Sequence, residues 1–148
     1  MHTIFETVSQ DLLHANGLSA EELAKPLALI GTHYVDYADI YCQRTAYESW
    51  HLDEGMVKSG SFQIDQGVGV RAVSGEKTAL AYADSLTADA VLQAAQAVKV
   101  IGAVGNHTPV RVPVTTFGKT VYAGCNPITT LPSPDKVALL QKVEQLAK

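Results

Sequence analysis

Along this chain the spacing of apolar positions changes character several times, and the changes mark out its elements. Ile4, Phe5, Val8, Leu12 and Leu13 recur at helical spacing from about Thr3 to Ala15, and Asn16 with Gly17 supplies a helix stop. Ser19 and Glu22 have the spacing of a capping box. Leu23, Leu27 and Ile30 then carry the apolar face of a second helix on to Gly31. Pro26 lies well inside that helix, where its ring removes a backbone donor and crowds the preceding turn. A kink or a break into two short helices is therefore expected near Lys25.

From Tyr37 the period becomes two. Ala38, Ile40 and Cys42 alternate with Asp39, Tyr41 and Gln43, and a second β-type run covers Tyr47 to Asp53 with the single tryptophan, Trp50. A third short run centres on Met56 and Val57, beyond the turn residues Asp53, Glu54 and Gly55. Gly67 to Val73 and Thr78 to Asp84 flank Ser74, Gly75, Glu76 and Lys77 and read as a hairpin. In its first arm Val68, Val70 and Ala72 share one face, with Arg71 on the other. In its second arm Leu80, Tyr82 and Asp84 alternate with Ala79, Ala81 and Ala83. A sheet face this small invites close approach of another layer. The helix that Thr87 caps, running to about Val100 with Val91, Ala94, Ala95 and Val98 on its buried stripe, is the expected neighbour.

After Gly102 periodicity fades and five of the six prolines occur. Residues 102–132 read as an extended arm or linker with two candidate strands, Val110 to Val114 and Lys119 to Ala123. Ser133 as cap and Pro134 at the first helical position open a last helix bearing Val137, Leu140, Val143 and Leu146, which reaches Lys148 without a stop signal. The expected fold class is therefore α+β. It comprises two N-terminal helices, a mainly antiparallel sheet of about five strands, one helix after the sheet, a Pro-rich arm and a C-terminal helix. The expected division is a folded domain over 1–101, the arm over 102–132, and 133–148 as the start of a helix leading into a missing C-terminal part.

Composition narrows the function classes. At 148 residues the chain can bury roughly two thirds of its unfolded surface, and 47% hydrophobic with 18% charged residues argues for a packed core over disorder. A net charge of −4 supplies no basic field for nucleic acid or an anionic membrane, so neither partner is expected. The acidic N-terminus lacks the Lys or Arg of a secretory signal, no run is long enough to span a bilayer, and Cys42 and Cys125 are two lone thiols, all of which point to the cytoplasm.

Candidate chemistry is sparse. Gly67, Gly69 and Ala72 have the G-x-G-x-x-A spacing of a dinucleotide fingerprint, but the residues after Gly69 keep a period of two where a helix should open. Gly75, Glu76, Lys77 and Thr78 imitate the end of a phosphate loop, with Glu76 interrupting the run. A nucleotide-binding enzyme rests on these two near-misses alone. His2, His14, His33, His51 and His107 lack metal-ligand spacing, Cys42 alternates with apolar positions as an inert thiol does, and no catalytic set is assigned. The polar residues around the glycine pair are the ones to watch: Asp65, Gln66, Gly67, Gly69 and Arg71 form a candidate peptide groove or interface, in which the glycines would admit a second backbone.

The run DQGVGVRAVSGEKTALAYAD, preceded by AYESWHLDEGMVKSGSFQ, closely resembles the N-terminal region of the TldD branch of the TldD/PmbA metalloprotease family. The resemblance is continuous from about Tyr34 to Val98 and weaker in the first helices and in SPDKVALLQKVEQLAK. It implies cytoplasmic proteases that process or degrade peptides, working as homodimers or with a TldE/PmbA-like partner subunit on unfolded peptide substrates. It also implies a zinc site, made by a His-Glu-x-x-x-His helix and a Cys ligand, in a larger C-terminal part. No stretch here matches that motif, and Cys42 and Cys125 fall outside the region that would supply the Cys ligand. The resemblance thus implies the N-terminal, non-catalytic portion of such an enzyme, with scaffold, assembly and substrate-chamber roles and no cofactor of its own. The alternative is a free-standing binding or assembly module without protease activity.

Overall fold

The computed structural model describes residues 4–102 and 125–148. The chain divides into two compact units, Met1–Arg44 with Gln66–Gly118, and Thr45–Asp65 with Lys119–Lys148. Both draw on the same pair of long strands, β1 (Tyr37–Asp53) and β2 (Met56–Ser74), which with β3 (Lys77–Ala83) form a sheet in the order β1-β2-β3. Among the described residues three strands thus stand where about five were expected. The runs at Tyr37 and Tyr47 are one strand, as are those at Met56 and Gly67. The reason is local: neither Arg44–Thr45–Ala46 nor Lys58–Asp65 contains a proline or a positive-φ residue, and polar side chains on a strand end it only where they must be buried. The chain does reverse at Glu54–Gly55, with φ of 50° and 75°, and a link so short forces antiparallel neighbours.

In the first unit β2 pairs antiparallel with β3, from Val68 opposite Ala83 to Ser74 opposite Lys77, across a turn where Gly75 has φ 59°. That register puts Val68, Val70 and Ala72 on one face with Ala83, Ala81 and Ala79, and Ala38, Ile40 and Cys42 of β1 pack into the same core. Two helices supply the other side: α2 (Ala20–Ile30), through Ile30, and α3 (Ala88–Val98), through Val91, Ala94, Ala95 and Val98. The stripe expected of α3 is the one observed. Small groups on both layers let the helix come close, and each valine taken fully out of water contributes about 1.5–3 kcal/mol relative to exposure.

Two of the three caps expected from sequence form; the third, Ser133, lies inside its helix and makes no capping bond. Ser19 Oγ accepts from the Glu22 amide at 3.2 Å, and Thr87 Oγ1 accepts from the Ala90 amide at 3.3 Å. Pro26 breaks nothing: α2 runs unbroken with Pro26 inside it, because the ring is buried in the interior, where apolar contact offsets the lost donor. The first helix is less regular than its periodicity implied, opening as α1 (Ile4–Val8) and continuing as a π segment, Ser9–Leu13, and a 3-10 turn, His14–Asn16. It stops at Gly17, φ 71°.

In the second unit the outer parts of β1 and β2 meet α4 (Ser133–Ala147), which begins at Ser133 itself, with Pro132 at the cap position. Ser49 and Ser61 hydroxyls are 2.8 Å apart, and Gln141 Nε2 donates to the Gly55 carbonyl at 3.1 Å. The candidate strands at Val110 to Val114 and Lys119 to Ala123 lie outside the described residues.

Two substitutions test this account. Ala95→Phe should lower unfolding free energy by about 1–3 kcal/mol in a denaturant titration, since the helix–sheet gap holds no larger group. Glu54→Asn should raise it by about 0.5–1 kcal/mol, because asparagine tolerates the positive φ that glutamate resists.

Candidate functional site

Strand alternation that buries Val68, Val70 and Ala72 turns Gly69 and Arg71 outward, opposite Tyr82 and Leu80 of β3. Arg71 is held there by β1. Its Nε donates to Asp39 Oδ1 at 2.8 Å and its Nη2 to Asp39 Oδ2 at 3.3 Å, while the guanidinium lies 5.5 Å from the centre of the Tyr37 ring. The Asp39 carboxylate, first by hydrogen bonding and then by its charge, pushes the Arg71 pKa further up. On the outward face of this unit Arg71 and Asp39 thus satisfy each other.

The remaining candidate residues fall differently. Gln66 is half-buried and Gly67 lies beside β3, where a Cβ would stand 2.8 Å from the Ala83 carbonyl oxygen. Gly69 has no such neighbour; a Cβ there would meet only Leu80 Cδ1, at 4.0 Å. Asp65, in the second unit, is exposed and lies within β2 rather than ending a loop. Because β2 is the middle strand, β1 and β3 occupy both its hydrogen-bonding edges beside Gly69 and Arg71. What these residues offer is a face, with no free edge for a second backbone.

The second unit holds a tighter polar cluster that the sequence did not announce. Lys136 of α4 pairs with Glu48 Oε2 and donates to the Ile128 carbonyl at 2.5 Å, while Trp50 Nε1 donates to Glu48 Oε1 at 2.8 Å. Trp50 fits because Gly60 is bare: a Cβ on Gly60 would lie 2.9 Å from the indole ring. The Lys136 hydrogen bond, followed by that of Trp50, holds the Glu48 pKa below its ordinary value. Only the long sequence separation of Glu48 and Lys136 hid this pair; neither side chain is unusual for its position.

Neither near-miss glycine motif finds its context, since Gly67 to Ala72 lie within β2 and Gly75–Glu76 is a hairpin turn. Among the described residues no three His, Cys, Asp or Glu side chains gather as a metal site. His33 Nδ1 lies 3.0 Å from Thr32 Oγ1 and His14 Nδ1 lies 3.3 Å from Gln10 Oε1, both local contacts. Burial pushes the Cys42 thiol pKa up, which suits a core residue, and Cys125 is exposed.

The sheet and α3 coincide with the stretch that matches a known family: residues 38–101 match PmbA/TldA metallopeptidase domain 1. The chain carries the first domain of that family. Over 143 residues it is 38% identical to a metalloprotease TldD homolog of Buchnera aphidicola from Schizaphis graminum, covering 97% of this chain. It is 40% identical over 143 residues to the metalloprotease TldD homolog of Haemophilus influenzae, covering 95% of this chain. In both cases the chain spans 30% of the relative's length. The metal that the TldD name implies has no fitting donor set among the described residues, so the geometry here supports no step through a metal.

Two expectations separate the roles of these residues. Gly67→Ala should cost about 1–3 kcal/mol in thermal or chemical unfolding, whereas Gly69→Ala should not lower stability. Because the Glu48 pKa is depressed, its bond to Lys136 stabilises the second unit above the ordinary carboxylate value of 4.5 and is lost as pH falls through the lower, folded value. Trp50 fluorescence should report that acid transition, and Glu48→Gln should flatten it.

Proposed function

We propose that this chain is the N-terminal, non-catalytic portion of a TldD-type zinc metalloprotease that degrades or processes peptides in the cytoplasm. The observation that carries the reading is the domain match: the core sheet and α3 fall in a first metallopeptidase domain, and the relatives named metalloprotease TldD homologs are matched over 30% of their length. In this reading hydrolysis, in which a metal-bound water attacks a polarised peptide carbonyl, belongs to the remaining part of such an enzyme.

The contribution of the present residues is structural. A rigid sheet on two helices presents Gly67, Gly69 and Arg71 on its exposed side, and Asp65 and Gln66 extend the same strand. This face would serve as a wall of the chamber that admits unfolded peptide, or as the contact to a second copy or a TldE/PmbA-like subunit. The net charge of −4 supplies no basic field for nucleic acid or an anionic membrane, and no described helix is long and apolar enough to cross a bilayer.

The test is direct. The purified chain, supplied with zinc, should bind no stoichiometric metal and should release no fragments from an unfolded peptide, as followed by mass spectrometry. Cleavage that a chelator abolishes would overturn the proposal.

A further inference from the structure

Among the described residues every buried side chain belongs to the first unit. The second unit closes without a core of its own: no residue of α4 is buried, and the parts of β1 and β2 within Thr45–Asp65 are half-buried at most. In α3, by contrast, Val91 and Ala95 are wholly removed from solvent. A helix of fifteen residues is marginal in water by itself, so α4 depends on its docking against the strands to stay folded.

That docking is chiefly polar. Strand alternation turns Glu48, Trp50 and Leu52 to one face of β1, where they are half-buried between exposed Tyr47, Ser49, His51 and Asp53. Lys136 reaches Glu48 Oε2 and the Ile128 carbonyl together, and the side chains of the pair are only 16% and 15% exposed. Trp50 Nε1 donates to the other carboxylate oxygen at 2.8 Å. Further along α4 the hold is lighter, an exposed hydrogen bond from Gln141 to the Gly55 carbonyl. Val137 and Leu140 are half-buried, yet Leu139, Val143 and Leu146 are 53%, 55% and 80% exposed. A helix that shields its lysine and leaves these apolar residues in water inverts the usual amphipathic arrangement.

We propose that α4 is a strap, latched by Lys136 and Glu48 over the face of β1 that carries Trp50 and Leu52, and that it lifts while the first unit stays folded. Segments with few buried apolar contacts open locally, well below the cost of global unfolding. Removing one member of a shielded ion pair strands the other, so two side chains control most of the strap's hold. Lifting uncovers Trp50 and Leu52 and melts a helix too short to persist unaided, so β1 presents this apolar face only in the open form. The inference rests on none of the metalloprotease reading, and its test involves neither metal nor peptide.

The experiment is amide hydrogen exchange on the full chain, followed by mass spectrometry, with α3 as the internal reference. In the unsubstituted chain, protection of α4 should fall at least about tenfold below that of α3. Lys136→Met, which keeps the aliphatic stem and removes the charge, should lower α4 protection by about a further tenfold and leave α3 unchanged. Glu48→Gln should act in the same direction from the other side of the latch, and in both variants acrylamide should quench Trp50 more readily. An α4 as well protected as α3 overturns the proposal, as does an α4 indifferent to both substitutions. Loss of protection in α3 and α4 together, the mark of global unfolding, overturns it as well.

Discussion

The distance between one sheet face and one helix governs this structure. Val68, Val70 and Ala72 on β2, with Ala79, Ala81 and Ala83 on β3, present almost no relief, and Val91, Ala94, Ala95 and Val98 answer with an equally shallow stripe. Two such surfaces gain dispersion and exclude water only if they approach closely, and a single long side chain on either would hold them apart. Other features follow from the same requirement. Ile30 and Leu18 complete the edges of this core, Pro26 is accepted inside α2, and Gly102 is bare because a Cβ there would stand 2.6 Å from the Tyr34 carbonyl oxygen.

Close packing on one side leaves the other side of the same strands to carry everything polar or large. Tyr37, Asp39, Gly69, Arg71, Leu80 and Tyr82 are outward for the same reason that the alanines are inward, a side-chain period of two. The clasp of Arg71 by Asp39 and the Tyr37 ring fixes a long side chain that would otherwise sweep over the face. The result is a surface on which this guanidinium is held in one place by its carboxylate and ring neighbours.

Much of this was legible in the sequence, and the boundary of legibility is physical. The buried stripe of α3, the small sheet face and the caps at Ser19 and Thr87 could be read because they depend on residues close together in the chain. Strand number could not, since polar runs such as Lys58 to Gln63 suit a loop or an exposed ribbon equally until a partner strand is known. The pairing of Asp39 with Arg71, and of Glu48 with Lys136, requires a register or a docked helix that local patterning does not contain. The candidate glycines were found as a cluster, but their distinct roles depend on what stands across from each: a carbonyl oxygen for Gly67, open space for Gly69.

The reversal at Glu54–Gly55 reaches further than its size suggests. It joins two strands that run from one compact unit into the other, so pairing can start there and zip outward one rung at a time, with little loop-closure entropy to overcome at any step. Zipping also transmits errors: a slip of one residue at this reversal would be inherited along the whole ladder and would turn Ala38, Ile40 and Cys42 to solvent. Two residues of a turn thereby set the alignment of a hydrophobic interior to which neither belongs.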